Sequence, residues 1–228
     1  MNVLVTGASG NLGRHIIKKL RDSDISVIPY SHKESLEVID WGNIDCVINC
    51  AAIIPSSELN MSDYLQGNVL FLQRLVALSR GKHFIHFSTF SELYRNDEYQ
   101  KSKMLANSLL LINSDLFDQL DILSLPTLDD EKLISSIVEA ALNGHKPVVD
   151  KLSYNYMSFH DVANHVTSGL IAGEIRPISE VYKEKNLYKE VCKRVLPNLI
   201  IEGISIDRCL NSDGIYHVCP KLLLSFLN

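Results

Sequence analysis

The chain has 228 residues, 46% of them hydrophobic, and a formal net charge of −5. That suffices for one domain with a sizeable core and at most a small appended lobe. The acidic balance and the lack of a basic stripe argue against a nucleic-acid partner, and no apolar run approaches the roughly 18 residues of a membrane span.

In chain order, "NVLVT" (Asn2–Thr6) is a nearly continuous apolar run, as in a strand buried on both faces. It starts without the basic leader of a secretory signal. Asn11–Arg21 carries Leu12, Ile16, Ile17 and Leu20 at helical spacing. "SVIPY", "CVINCA", "HFIHFS" and the weaker "DILSLP" are further strands. Helices are expected over Asp63–Arg80, with Leu65, Val69, Leu72 and Val76, and over Tyr99–Ile112, with Met104, Leu105, Leu109 and Ile112. This alternation predicts an α/β fold: a doubly wound, Rossmann-type parallel sheet with helices on both faces. After Pro126 helical patterns dominate, near Asp130–Leu142, Asp161–Ala172 and Ile178–Val195, with extended pieces such as "KPVVDK" between them. The expected division is a dinucleotide-binding core over residues 1–126 and a small, mostly helical substrate lobe over 127–228, packed on it. The run Lys183 to Lys193 is broken by Glu184 and Glu190 and reads as a solvated helix face. The five cysteines are odd in number and form no CxxC, so free thiols in a reducing cytoplasm are expected.

"VLVTGASGNLGRHIIKKL" sets Gly7, Gly10 and Gly13 between a strand and a helix. Gly7 permits the tight turn. Gly10, lacking a side chain, lets a pyrophosphate approach the backbone, and Gly13 lets the helix pack close to the sheet. The N–H groups at the helix start favour the anion. In this strand-turn-helix setting the triplet predicts dinucleotide binding.

These residues resemble the extended branch of the short-chain dehydrogenase/reductase superfamily, which holds epimerases, dehydratases and reductases. Further pieces follow in the family's order. "DCVINCAA" (Asp45–Ala52) looks like D-x-V-x-x-x-A-A, and "GNVLFLQRLV" (Gly67–Val76) looks like N-x-x-x-x-x-x-L. "FSTFSELY" (Phe87–Tyr94) resembles the strand-five Ser/Thr motif, "YQKSK" the YxxxK, "SLPT" (Ser124–Thr127) the L-R-P segment, and "FHDVA" (Phe159–Ala163) the later H-V-x-D-V-A. The resemblance spans about Met1 to Ala172. It implies cofactor contacts from Gly7, Ser9, Gly10, Asn11, Leu12, Gly13, Ala51, Ala52, Asn68, Tyr99, Lys103 and Pro126. Asp40 is either the family's adenine-contacting acid or a solvated turn residue. The resemblance also implies a homodimer, although no seam is legible.

Of the nine tyrosines only Tyr99 has a lysine four residues later, Lys103. Residues four apart share a helix face. A free tyrosine titrates near 10, so a neighbouring ammonium and an oxidised nicotinamide must favour its phenolate; a drop of three units needs about 4 kcal/mol. Tyr99 then acts as proton donor or acceptor. A hydroxyl from Thr89, with Ser88 second, would bind the reacting oxygen. Counting back from Tyr94 instead lands on Phe90, and Ser91 is the remaining candidate.

The sequence departs from the family in several places. The loop from Thr89 to Tyr99 is short, and Tyr30 to Asp45 leaves no room for a full helix-strand-helix. Ser124 stands where arginine is common. After the second strand comes "SHKE". Ser31, His32 and Lys33 offer donors and positive charge suited to a 2′-phosphate, which favours NADP over NAD. His83 and His86 alternate in a strand and read as structural. His160-Asp161 has no third ligand at metal spacing, so no metal is expected. Tyr154 and Tyr156 either line the pocket or pack. The expected function is an NAD(P)-dependent oxidoreductase or epimerase acting on a nucleotide-linked sugar by hydride transfer. Dehydration is disfavoured because Phe90-Ser91 replace the usual Asp-Glu. The rival readings are a reductase of another small carbonyl compound and a non-catalytic NAD(P)-binding sensor.

Overall fold

The computed structural model describes residues 1–31, 35–56, 58–90, 97–128, 134–135, 153–186 and 190. Five strands form one parallel sheet: β1 (Asn2–Thr6), β2 (Ser26–Pro29), β3 (Cys46–Asn49), β4 (His83–Thr89) and β5 (Gln119–Leu125). Their order is β2-β1-β3-β4-β5. The apolar runs lie at its centre, and Val3, Leu4, Val5, Val47, Ile48, Phe84 and Ile85 are wholly buried. Because β1 has β2 on one side and β3 on the other, the turn leaving β1 sits at the switch point where such sheets bind ligands.

The helices are α1 (Asn11–Asp22), α2 (Met61–Tyr64), α3 (Phe71–Leu78), α4 (Glu98–Ile112) and α5 (Phe159–Ala172). On one face of the sheet Leu4, Val47 and Phe84 pack with Leu72, Leu75 and Val76 of α3 and Ala106 and Leu110 of α4. Helix α1 buries Gly13, Ile16, Ile17 and Leu20 and packs against α5. With the strand order reversing at β1, the right-handed crossovers that parallel strands almost always take would put these two helical layers on opposite faces.

Two helix expectations change, and the shortened connection between β2 and β3 is as expected. The helix expected over Asp63–Arg80 contains a π-helical stretch, Leu65–Leu70, between α2 and α3. Between β2 and β3, among the described residues, stand only two 3₁₀ turns, Leu36–Val38 and Trp41–Asn43. Neither can supply a crossover strand. Among the described residues, the start of the helix expected over Ile178–Val195 is instead a 3₁₀ turn, Ile178–Glu180, followed by a strand, Lys183–Asn186. That strand pairs antiparallel with Ser153–Tyr156, and Lys185 lies 3.5 Å over the Tyr156 ring. Its charges serve a strand surface, which a helical pattern misread.

The chain forms two compact units, one of residues 1–126 with 157–182, the other of 127–156 with 183–228. Helix α5 therefore lies with the sheet, although the sequence division assigned it to the lobe. Its buried stripe of Val162, Ala163, Val166, Thr167 and Leu170 explains why: α1 covers it. A Ser158–Asp161 capping box starts α5, and Gly173 at φ +81° ends it. In the second unit the described residues show the antiparallel strand pair. The helix expected over Asp130–Leu142 lies outside the described residues apart from 134–135, which are helical. "KPVVDK" and the chain beyond residue 190 lie outside them as well.

Candidate active site at the glycine turn and helix α4

The turn after β1 has the backbone the glycines imply. Gly7 sits at φ +63°, and a Cβ on it would come within 2.7 Å of Ala51 N and of Cys50 C and O. A Cβ on Gly13 would overlap Gly7 O. Gly10 is different: its φ of −73° is ordinary, and a Cβ would have only Gly7 O nearby, at 3.2 Å. Gly10 N donates to Gly7 O at 2.9 Å and Gly10 opens α1 as its N-cap, with no side-chain cap. The first-turn N–H groups of a twelve-residue helix therefore face an anion approaching along the glycine turn.

A groove of about 530 Å³ runs beside this turn, lined by Gly7, Ser9, Gly10, Ser31, Ala51 and Ala52, all expected. The glycine cradle and the uncapped helix start fit the pyrophosphate of a dinucleotide. Tyr30, Ile53, Gln66 and Phe71 also line it and were not foreseen. Tyr30 and Phe71 stack at 6.1 Å, which closes the β2 side. An aromatic ending the second strand was the available signal for Tyr30; nothing in the sequence marks Gln66. His32 and Lys33 lie outside the described residues. Asp40 is exposed and caps the Trp41–Asn43 turn, accepting from Gly42 N at 3.2 Å and Asn43 Nδ2 at 2.5 Å. Asn11 Oδ1 accepts from Arg14 at 2.6 Å, and Leu12 and Gly13 follow in the first turn of α1. Pro126 follows β5, away from the lining.

Asn68 stands behind the groove wall. Its Oδ1 accepts from Ile53 N at 2.7 Å, and its Nδ2 donates to Ile53 O at 3.2 Å and to Ser102 Oγ at 3.0 Å. Ser102 in turn donates to Tyr99 O at 2.7 Å. The π-helical stretch that carries Asn68 gives it this reach. Such irregular turns recur at functional sites.

Helix α4 begins at Asp97, whose side chain accepts from Gln100 N at 2.8 Å. This cap puts Tyr99 in the first turn. Its ring meets Tyr64 edge-on at 5.9 Å, and both line a cavity of about 440 Å³ with Pro55, Ser56, Asp97 and Glu98. One turn on, Lys103 is 2% exposed, with Nζ donating to Phe87 O at 2.6 Å. Its Nζ also lies 3.4 Å from His86 Nε2. Ser88, on the α4 face of β4, accepts from Asn107 Nδ2 at 2.8 Å. Thr89 ends β4. Phe90 packs edge-on with Tyr182 at 5.7 Å, so the place counted back from Tyr94 holds an aromatic contact, not a hydroxyl. Ser91 and Tyr94 lie outside the described residues. Tyr154 and Tyr156 belong to the strand pair of the second unit.

Burial, and then the nearby Lys103 charge, holds His86 well below the ordinary histidine range. Burial pushes the Cys46 and Cys50 thiols up, which leaves them un-ionised at neutral pH and poor nucleophiles. Among the described residues no group of three or more His, Cys, Asp or Glu is placed to hold a metal. No described helix is long and apolar enough to cross a membrane.

A parallel sheet with the glycine turn at its switch point and a Tyr-Lys helix beside it has the Rossmann-type architecture in which dinucleotides are commonly bound. Residues 3–110 match the profile of the NAD dependent epimerase/dehydratase family. No curated protein sequence matches significantly. Solved structures with the same fold include UDP-glucuronic acid 4-epimerase from Bacillus cereus in complex with NAD, at 18% identity and a TM-score of 0.65, covering 87% of this chain and 83% of that one. MoeE5 in complex with UDP-glucose and NAD is 22% identical, with a TM-score of 0.57 over 73% and 70% of the two chains. A dTDP-4-dehydrorhamnose reductase from Clostridium acetobutylicum is 21% identical, with a TM-score of 0.57 over 75% and 71%.

Proposed function

We propose that the protein is an NAD(P)-dependent oxidoreductase or epimerase acting on a nucleotide-linked sugar, with Tyr99 as acid and base. The observation that carries this reading is the pairing on α4: Tyr99 lines a cavity, and Lys103 is buried one turn behind it. The bound dinucleotide supplies or accepts the hydride. Tyr99 gives its phenolic proton to a carbonyl oxygen, or takes one from a hydroxyl. The Lys103 ammonium favours the phenolate that makes this possible at neutral pH. Thr89 or Ser88 donates to the reacting oxygen. The groove beside Gly7 and Gly10 holds the pyrophosphate against the start of α1.

The nucleotide-sugar substrate rests on the family match and on neighbours bound to UDP-sugars, such as MoeE5 with UDP-glucose or UDP-glucuronic acid. The run Ser31-His32-Lys33 after β2, without an acid, supports NADP, whereas the ligand-bound neighbours named above hold NAD. Titration with both dinucleotides decides between them, and tighter binding of NAD overturns the NADP assignment. Turnover is then measured against a panel of nucleotide sugars. Tyr99→Phe should lower it by about 10²–10⁴-fold while leaving dinucleotide affinity near wild type. Undiminished turnover in Tyr99→Phe refutes the acid-base role. Dinucleotide binding without turnover of any carbonyl or sugar substrate favours the sensor.

A further inference from the structure

The segment that leaves β3 borders both openings of the site. Ala52 and Ile53 line the groove beside the glycine turn, and Pro55 and Ser56 line the cavity that holds Tyr99. The segment has no regular secondary structure, so its backbone groups need partners outside a ladder. Helix α2 and the π-helical stretch after it supply them at two points. At the groove, Asn68 takes both the N–H and the C=O of Ile53. Gly67 lets the Ile53 side chain lie against the helix, since a Cβ there would overlap Ile53 Cδ1. At the cavity, the Tyr64 hydroxyl holds Ser56 in the same way. It accepts from Ser56 N at 3.2 Å and donates to Ser56 O at 3.4 Å. Tyr64 is 4% exposed and lines the same cavity as Ser56 and Tyr99.

We propose that Tyr64 is a positioning residue for the sugar substrate, its hydroxyl fixing the Ser56 wall of the cavity beside Tyr99. This rests on the function proposed above, with Tyr99 as the acid and base of that cavity. A buried tyrosine usually finds a partner for its hydroxyl, and a single carbonyl would satisfy it. This one takes both backbone groups of one residue in the cavity wall. The two holds divide the work. Asn68 steadies the groove wall and so the dinucleotide, and Tyr64 steadies the cavity wall and so the substrate. A wall ordered before the substrate arrives lowers the cost of binding. It leaves the chemical step alone, because the proton donor and the hydride source are untouched. The Tyr64 hydroxyl therefore bears on KM and not on kcat. A tyrosine that only filled the core would be replaceable by phenylalanine with no change in either.

The test compares wild type with Tyr64→Phe, which keeps the ring and loses only the hydroxyl. Steady-state turnover is measured with a panel of UDP- and dTDP-sugars, alongside dinucleotide affinity and amide hydrogen exchange by NMR. Tyr64→Phe should raise KM for the sugar about tenfold and leave kcat within about threefold. Dinucleotide affinity should stay near wild type. Exchange of the Ser56 amide should quicken about tenfold, while that of Ile53, held by Asn68, should not change. A wild-type KM in Tyr64→Phe, or wild-type exchange at Ser56, overturns the inference and leaves the role of Tyr99 standing. Weaker dinucleotide binding together with faster exchange at Ile53 would show a general loosening, which also overturns it. If wild type turns over none of the sugars, the proposed function falls and the inference falls with it.

Discussion

On the proposed function, one glycine of the turn serves a ligand and two serve the fold, and alanine substitution tests that division. At Gly10 the backbone is extended (φ −73°, ψ 165°), which any residue adopts, and a methyl would meet only Gly7 O at 3.2 Å. Alanine is a poorer N-cap than glycine, so Gly10→Ala should cost less than about 1 kcal/mol of stability. The same methyl would stand in the groove that Gly10 lines. Losing one charge-assisted hydrogen bond from helix N–H to phosphate costs about 1.5–3 kcal/mol, so affinity for NAD(H) or NADP(H) should fall ten- to hundredfold. At Gly13 the methyl would overlap Gly7 O and approach Gly7 C to 2.9 Å and Ala8 Cα to 3.1 Å, all backbone. That strain should cost about 1–3 kcal/mol of stability. Urea unfolding followed by Trp41 fluorescence gives the stabilities, and calorimetric titration with dinucleotide gives the affinities. Wild-type affinity in Gly10→Ala, or a Gly13→Ala protein as stable as Gly10→Ala, would refute the division.

Two further substitutions probe the buried polar framework. Asn68→Ala removes three hydrogen bonds and strands the Ile53 backbone groups, so it should lose about 3 kcal/mol in urea unfolding and weaken dinucleotide binding as the groove wall loosens; wild-type values for both would show that the clamp is idle. His86 titrates well below its usual value when folded, so below about pH 6.5 the unfolded chain takes up the proton first and stability falls as pH falls. Between pH 7.5 and 5.5 this one group should remove up to about 1.4 kcal/mol, the ceiling set by an unfolded histidine near 6.5, seen as the difference between the wild-type and His86→Gln pH profiles of unfolding free energy; parallel profiles would show that His86 protonates freely in the folded protein.

Much of the site is legible in the sequence because it is local. The glycine turn is one strand end and one helix start, and Tyr99 and Lys103 share one helical turn. Ala51 and Ala52 follow from motif order and Ser31 from the end of the second strand, and all three line the groove. The parts that escaped notice depend on register or on irregular geometry. Thr6, Asn49 and His86 are far apart in sequence, and only the pairing of β1 with β3 and β3 with β4 makes them a row. Periodicity gave His86 a structural role without revealing that its ring meets Lys103. The π-helical stretch keeps helical spacing closely enough to look like a plain helix, yet it is what lets Asn68 hold Ile53 and Ser102 together. The strand at Lys183–Asn186 was read as helix because its mixed charges suit a solvated face of either kind.

The trimmed segment between β2 and β3 bears on the two ends of the groove unequally. Everything proposed for proton transfer comes from β4 and α4, with support from the segment after β3 and the helix carrying Asn68. None of these lies between residues 30 and 45. What the two 3₁₀ turns replace is the outer wall beyond β2, at the far end of the groove from Tyr99. There Asp40 is taken up in capping its own turn, and Leu36 is buried in the core under Tyr30, Trp41 and Phe71. The stacked pair Tyr30 and Phe71 then supplies an apolar flank where a longer chain would place a further strand and helix. On the proposed function, a shortened wall of this kind would weaken recognition of the adenosine half by side-chain hydrogen bonds and leave it to stacking and to the turn after β2, while the proposed pyrophosphate contacts at Gly7 and Gly10 would be untouched. On the proposed function, discrimination between NAD and NADP would then fall to Ser31 and the sequence directly after it.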